Sequence, residues 1–96
     1  TGVIESFANT ETEKIFKGIV SRKLPIVIQK TARRKLLYLD DADSLSDLAA
    51  PPGNRLEALH GNREGQYSIR INDQWRICFM WASGKAKDVE ITDYHK

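Results

Sequence analysis

At 96 residues, with 41% hydrophobic and 29% charged side chains, the chain has room for one globular domain and one core, because a second core could not be buried at this length. Its apolar runs fall far short of the roughly 18 residues a bilayer span needs, and no basic-then-apolar leader opens it, so no membrane association is expected and a cytoplasmic location is. One cysteine and two histidines exclude an intrachain disulfide and a closed structural zinc site, so neither metal nor cofactor is expected, and a net charge of +2 is small for gripping free nucleic acid by counterion release alone.

Thr1 and Gly2 precede the recognisable sequence and are set aside as a cloning remnant, leaving 3–96 as a single domain. "VIESF" reads as a short strand, with its place in the sheet open between edge and centre. Asn9 or Thr10 caps a helix running through Phe16, with Glu11 and Glu13 in the first turn where the helix dipole favours negative charge; Gly18 ends it. The segment from Pro25 to about Asp40 is the clearest helix. Leu24, Ile28, Ala32, Leu36 and Leu39 recur at spacings of four and three and face the core. Lys23, Lys30, Arg33 and Arg34 fall on the opposite side, as a solvated face or as a contact for RNA or an acidic partner. "DSLSDLAA" is a short helical turn capped by Asp43 or Ser44, with Asp47 completing a capping box if Ser44 is the cap, and "PPGN" ends it.

After Asn54 the period changes to two. "RLEALHG" is a strand, "NREG" a turn, and "QYSIRI" alternates Tyr67, Ile69 and Ile71 against Gln66, Ser68 and Arg70. "ND" turns the chain into "QWRICFMW", and "SGK" turns it again into a last strand carrying Val89 and Ile91 and closing on "DYH". Sequential short strands joined by tight turns make an antiparallel meander. The fold class is therefore α+β, with two to three N-terminal helices packed on one face of the sheet.

Face parity then selects candidate chemistry. If the larger apolar set on each strand meets the helices, Ser68, Arg70, Arg76 and Tyr94 project from the other, open face, while Asp93 and His95 reach that surface around the end of the last strand. Arg76 sits between Trp75 and Ile77, where a charged group is costly unless it pairs with a carboxylate, Glu90 or Asp93 on the neighbouring strand, or meets a phosphate. A single terminal imidazole is by itself usually a solvated group, so His95 gains weight only from its neighbours. Cys78 reads as a small buried apolar side chain.

"PPGNRLEALHGNREGQYSIRINDQWRICFMW" followed by "VEITDYH", with the opening "IESF" and the helix "TARRKLLYLDDADSLSDL", resembles the HigB branch of the RelE/ParE toxin superfamily of bacterial toxin–antitoxin systems. The resemblance covers essentially the whole chain from Val3. It implies a RelE-like small domain, a ribosome-dependent mRNA endonuclease acting in the decoding site without metal, and a HigA-type helix-turn-helix antitoxin that alone contacts operator DNA. Residue by residue it implies Arg76 as charge stabiliser, His95 as proton donor to the leaving group, Tyr94 as a stacking or orienting group and Asp93 as an orienter. Arg63 and Arg70, with Lys30, Arg33 and Arg34, are expected to contact RNA. The chain departs from the branch at two positions. Some members carry a catalytic His where it has Glu57, and many carry a Lys where it has His60. A Glu can act as general base, and an imidazole replaces the ammonium only when protonated. Two other readings follow from the same resemblance: a ParE-like gyrase poison, and a decayed toxin that only binds its antitoxin.

Overall fold

The computed structural model describes residues 2–93; Tyr94 and His95 of the closing "DYH" lie outside the described residues. Three helices come first. Asn9 caps α1 (Thr10–Phe16), its side chain accepting from the Thr12 amide at 2.8 Å. α2 (Ile26–Asp40) begins directly after Pro25, and Ile28, Ala32, Leu36 and Leu39 are buried along one stripe, as their spacing predicts; Leu24 packs against the same core only partly buried. α3 (Leu45–Ala49) starts from Ser44, but the expected capping box does not close. The Ser44 hydroxyl pairs with Ser46 Oγ at 2.8 Å, and the Asp47 carboxylate accepts from the Asp43 amide at 2.9 Å. A 3-10 turn at Pro52–Asn54 follows.

Four antiparallel strands form one sheet in the order β1 (Glu57–Ala58), β2 (Gln66–Arg70), β3 (Trp75–Ala82) and β4 (Lys85–Asp93). Ser83 and Gly84, at φ 54° and 73°, make the two-residue left-handed turn whose twist suits a hairpin between β3 and β4. The strand expected over "RLEALHG" shrinks to two residues, because Arg55 enters the left-handed region (φ 45°, ψ 57°) just before it and a 3-10 turn at Gly61–Arg63 follows. The "VIESF" segment is neither a regular strand nor central. Ile4 and Phe7 make isolated parallel bridges to Ala86 and Val89 of β4. β4 is bulged where they meet, since Cys78 faces Glu90 but Met80 faces Lys87, with Asp88 at φ 52° as the extra residue. Ser6 fits the bulge, its Oγ accepting from the Asp88 amide at 3.0 Å.

The core lies between the helices and one sheet face. Ile15, Ile28, Ala32, Leu36, Leu39 and Leu48 from the helices meet Ile69, Ile77, Phe79, Val89 and Ile91 from the strands. Alternation along β3 then sends Arg76 and Cys78 to the other face.

Candidate active site

Direct partners in antiparallel strands share a face, so the register writes out the second face in rows. Glu57, Ser68, Cys78 and Glu90 lie across β1 to β4 in one row, and Arg70, Arg76 and Thr92 lie in the next. Arg76 is 7% exposed and Ser68 0%, so the face is closed at its middle rather than open as the parity reading expects. The covering groups come from the segment that enters and leaves β1. The Arg76 Nη2 donates to the Arg55 carbonyl at 2.6 Å. Arg63, in the 3-10 turn, spans the same face, donating through Nη1 to Gln66 Oε1 at 3.0 Å and through Nη2 to Glu90 Oε1 at 3.2 Å. Cys78 is fully buried in this row, and burial pushes its thiol pKa up; it behaves as the small apolar side chain its sequence setting indicates.

Arg76 meets a carboxylate from β1, where the sequence reading looked to Glu90 or Asp93 on β4. Glu57 Oε1 on β1 lies 3.6 Å from Nη2, while Glu90 is taken by Arg63. The Nε of Arg76 donates to Ser68 Oγ at 2.7 Å. The Glu57 side chain is 51% exposed against 9% for that of Arg76, so a fixed cation stands beneath a carboxylate that reaches solvent. A transferring phosphate needs this combination, a preorganised positive charge beside a group able to take a proton.

The remaining expected site residues divide between this face and elsewhere. Arg70 lies beside Arg76 in register and pairs with the carboxylate of Asp73. Asp93 is in register with Trp75, and its Oδ2 accepts from Gln74 Nε2 at 2.8 Å. His60 is exposed at the start of the Gly61–Arg63 turn. Lys30, Arg33 and Arg34 lie on the exposed side of α2, across the core from Arg76, so the structure does not bring them into this cluster. Two contributors escape the sequence reading: Ser68, which parity put on the correct face without a role, and the Arg55 carbonyl. The diagonal between Ser68 and Arg76 was legible from strand alternation, whereas a left-handed Arg leaves no compositional trace. Among the described residues no group of three or more His, Cys, Asp and Glu side chains could hold a metal ion, and no helix is long and apolar enough to cross a membrane.

Comparison with known proteins adds three findings. Residues 5–95 match the model of the HigB-like toxin family, described as the RelE-like toxin of type II toxin–antitoxin system HigB. The chain is 47% identical over 75 residues to Toxin HigB-1 of Vibrio cholerae, covering 78% of each, and 29% identical over 93 residues to Endoribonuclease HigB of Proteus vulgaris, covering 97% of this chain and 100% of that protein. Among solved structures, a chain of the YoeB-YefM complex from Staphylococcus aureus superposes with a TM-score of 0.56 at 18% identity, over 97% of this chain and 98% of the other, a likeness of fold.

Proposed function

The chain belongs to the HigB-like family of RelE-like toxins of type II toxin–antitoxin systems, and from that premise we propose that it is an endoribonuclease that cuts mRNA in the ribosomal decoding site. The observation that carries the reading is the buried Arg76 guanidinium on the sheet face that also bears Glu57, 3.6 Å away. The name of the Proteus vulgaris relative, an endoribonuclease, supports the same chemistry. A small net charge of +2 fits it as well: if the ribosome positions the substrate, the toxin needs only a local cation.

RNA supplies its own nucleophile. In the proposed reaction Glu57 takes the proton of a 2′-hydroxyl, the 2′-oxygen bonds to the adjacent phosphorus, and the bond from phosphorus to the 5′-oxygen breaks. Arg76 stabilises the extra negative charge on the phosphorane. His95 protonates the departing 5′-oxygen, Tyr94 stacks or orients, and Asp93 orients a neighbouring side chain. The products are a 2′,3′-cyclic phosphate and a 5′-hydroxyl, with no metal in the balance. Arg63 and Arg70, on the same face, are the candidate contacts for flanking phosphates, and His60 adds charge only when protonated. The test is end-group analysis of mRNA cleaved on programmed ribosomes. A 2′,3′-cyclic phosphate with a 5′-hydroxyl supports the reading, and a 3′-hydroxyl with a 5′-phosphate, the ends that metal-assisted attack by water leaves, refutes it.

A second surface suits a protein partner. The outward side of α2 carries Val27, 85% exposed, together with exposed Leu37 and Tyr38, interleaved with Lys30, Arg33 and Arg34. None of these three cations has a carboxylate within ion-pair distance among the described residues. Apolar anchors among unpaired cations suit an acidic amphipathic segment better than a nucleic-acid backbone. A HigA-type antitoxin docked there would leave the Arg76 face uncovered, block ribosome entry by bulk, and supply the operator contacts itself.

A further inference from the structure

The five N–H donors of a guanidinium lie in one plane, so fixing two of its nitrogens fixes the direction of the whole group. In Arg76, Nε donates to Ser68 Oγ at 2.7 Å and Nη2 donates to the Arg55 carbonyl at 2.6 Å, with the Ser68 carbonyl at 3.4 Å from the same nitrogen. The contact to Ser68 is a diagonal one. Ser68 is in register with Cys78, and Arg76 with Arg70, and such same-face diagonals lie within reach of a long side chain. Ser68 is 0% exposed, so little water competes for its hydroxyl. The Arg55 carbonyl is delivered by backbone in the left-handed region, at φ 45°, which is uncommon for a residue with a Cβ. These three acceptors are neutral and set the direction of the guanidinium, while the carboxylate of Glu57, 3.6 Å from Nη2, is a charged neighbour of the same nitrogen.

We propose that Ser68 is a positioning residue for the cleavage reaction: with the Arg55 carbonyl it holds the plane of Arg76 so that the cation faces the phosphorane rather than only the ground-state phosphate. The proposal rests on the nuclease reading above. In this role Ser68 touches no substrate and acts through Arg76. Small losses of alignment are expensive in rate because a misplaced group still attracts the substrate but no longer fits the transition state.

Three variants and one spectroscopic signal test it. Ser68→Ala removes the acceptor at constant backbone, and kcat on programmed ribosomes should fall by roughly ten- to a hundredfold with KM changed by less than about twofold. Ser68→Thr keeps the oxygen on a β-branched residue suited to a strand and should recover most of the rate. Arg76→Lys identifies the Arg76 Nε–Hε signal in nitrogen–proton spectra by its loss. That proton should exchange slowly in the wild type and in Ser68→Thr, and quickly in Ser68→Ala at temperatures well below the Tm of that variant. Ser68→Ala cutting at the wild-type rate while Arg76→Lys is inactive overturns the positioning role and leaves the nuclease reading standing. A wild type that fails to cut removes the nuclease reading, and the positioning role with it. An Arg76 Hε that exchanges equally fast in wild type and Ser68→Ala overturns the fixed plane whatever the activity.

Discussion

Arg76 carries most of the proposed chemistry. Its charge is buried on the sheet face opposite Trp75 and Ile77, and its nitrogens meet Ser68, the Arg55 carbonyl and Glu57, so it is both structurally satisfied and chemically poised. Replacing it by Ala should slow cleavage by about a hundredfold or more. Replacing it by Lys should do nearly as badly, because an ammonium keeps the charge but not the planar fork; single-turnover cutting on loaded ribosomes measures both. Glu57→Gln should slow cleavage by about a hundredfold or more, since an amide takes no proton from the 2′-hydroxyl; cutting at the wild-type rate assigns the base elsewhere. Cys78 gives an independent check on the closed face. With its pKa raised by burial, its thiol should resist a small alkylating reagent in the native protein and react after denaturation. Fast native labelling would contradict the buried row.

The elements divide into those that local chemistry determines and those that distant partners determine. α2 was legible because Pro25 fixes its start and Ile28, Ala32, Leu36 and Leu39 repeat every three to four residues; Leu36→Ala should destabilise by about 2–5 kcal/mol in a denaturant titration. The reach of β1 was not legible, because the backbone conformation at Arg55 cuts the strand to Glu57–Ala58. Nor was the place of the "VIESF" segment, since its bridges to Ala86 and Val89 join opposite ends of the chain. The link between α1 and α2 carries a pH-dependent tie. Ser21 Oγ donates to Glu11 Oε1 at 2.5 Å, and this bond is the main reason the Glu11 carboxyl sits below its ordinary pKa of 4.5. A depressed carboxyl contributes stability above its unfolded pKa and loses it as pH falls through the folded value. Ser21→Ala should therefore lower Tm at neutral pH and cost progressively less as the solution is acidified below that range. On the outer side of α2, Arg33→Glu with Arg34→Glu should weaken antitoxin binding in calorimetry by at least tenfold, the loss expected when attractive charge pairs become repulsive. Unchanged affinity would move the docking surface elsewhere.

Across the whole molecule, the sheet separates two surfaces: a closed, polar face holding Arg76, and beyond the helices a basic and apolar face on α2. Strand alternation alone distinguished these surfaces, and that much of the candidate site was legible, because the face of Arg76 follows from the positions of Trp75, Ile77 and Phe79. The carboxylate beside it was not. Glu57 reaches Arg76 through the pairing of β1 with β2, while Glu90, the nearer choice in a hairpin, is drawn off by Arg63 from a turn whose path has no periodic signature. The nuclease proposed for this arrangement works only where the ribosome presents the substrate. Primer extension on mRNA from programmed ribosomes, with free mRNA alongside, tests it most directly for wild type, Arg76→Ala and His95→Gln. A ribosome-dependent nuclease gives strong stops within the decoding-site codon for wild type, none on free mRNA, and stops weakened by about a hundredfold or more in both variants. Wild-type stops that are absent from ribosomal mRNA, or equal on free mRNA, would contradict it.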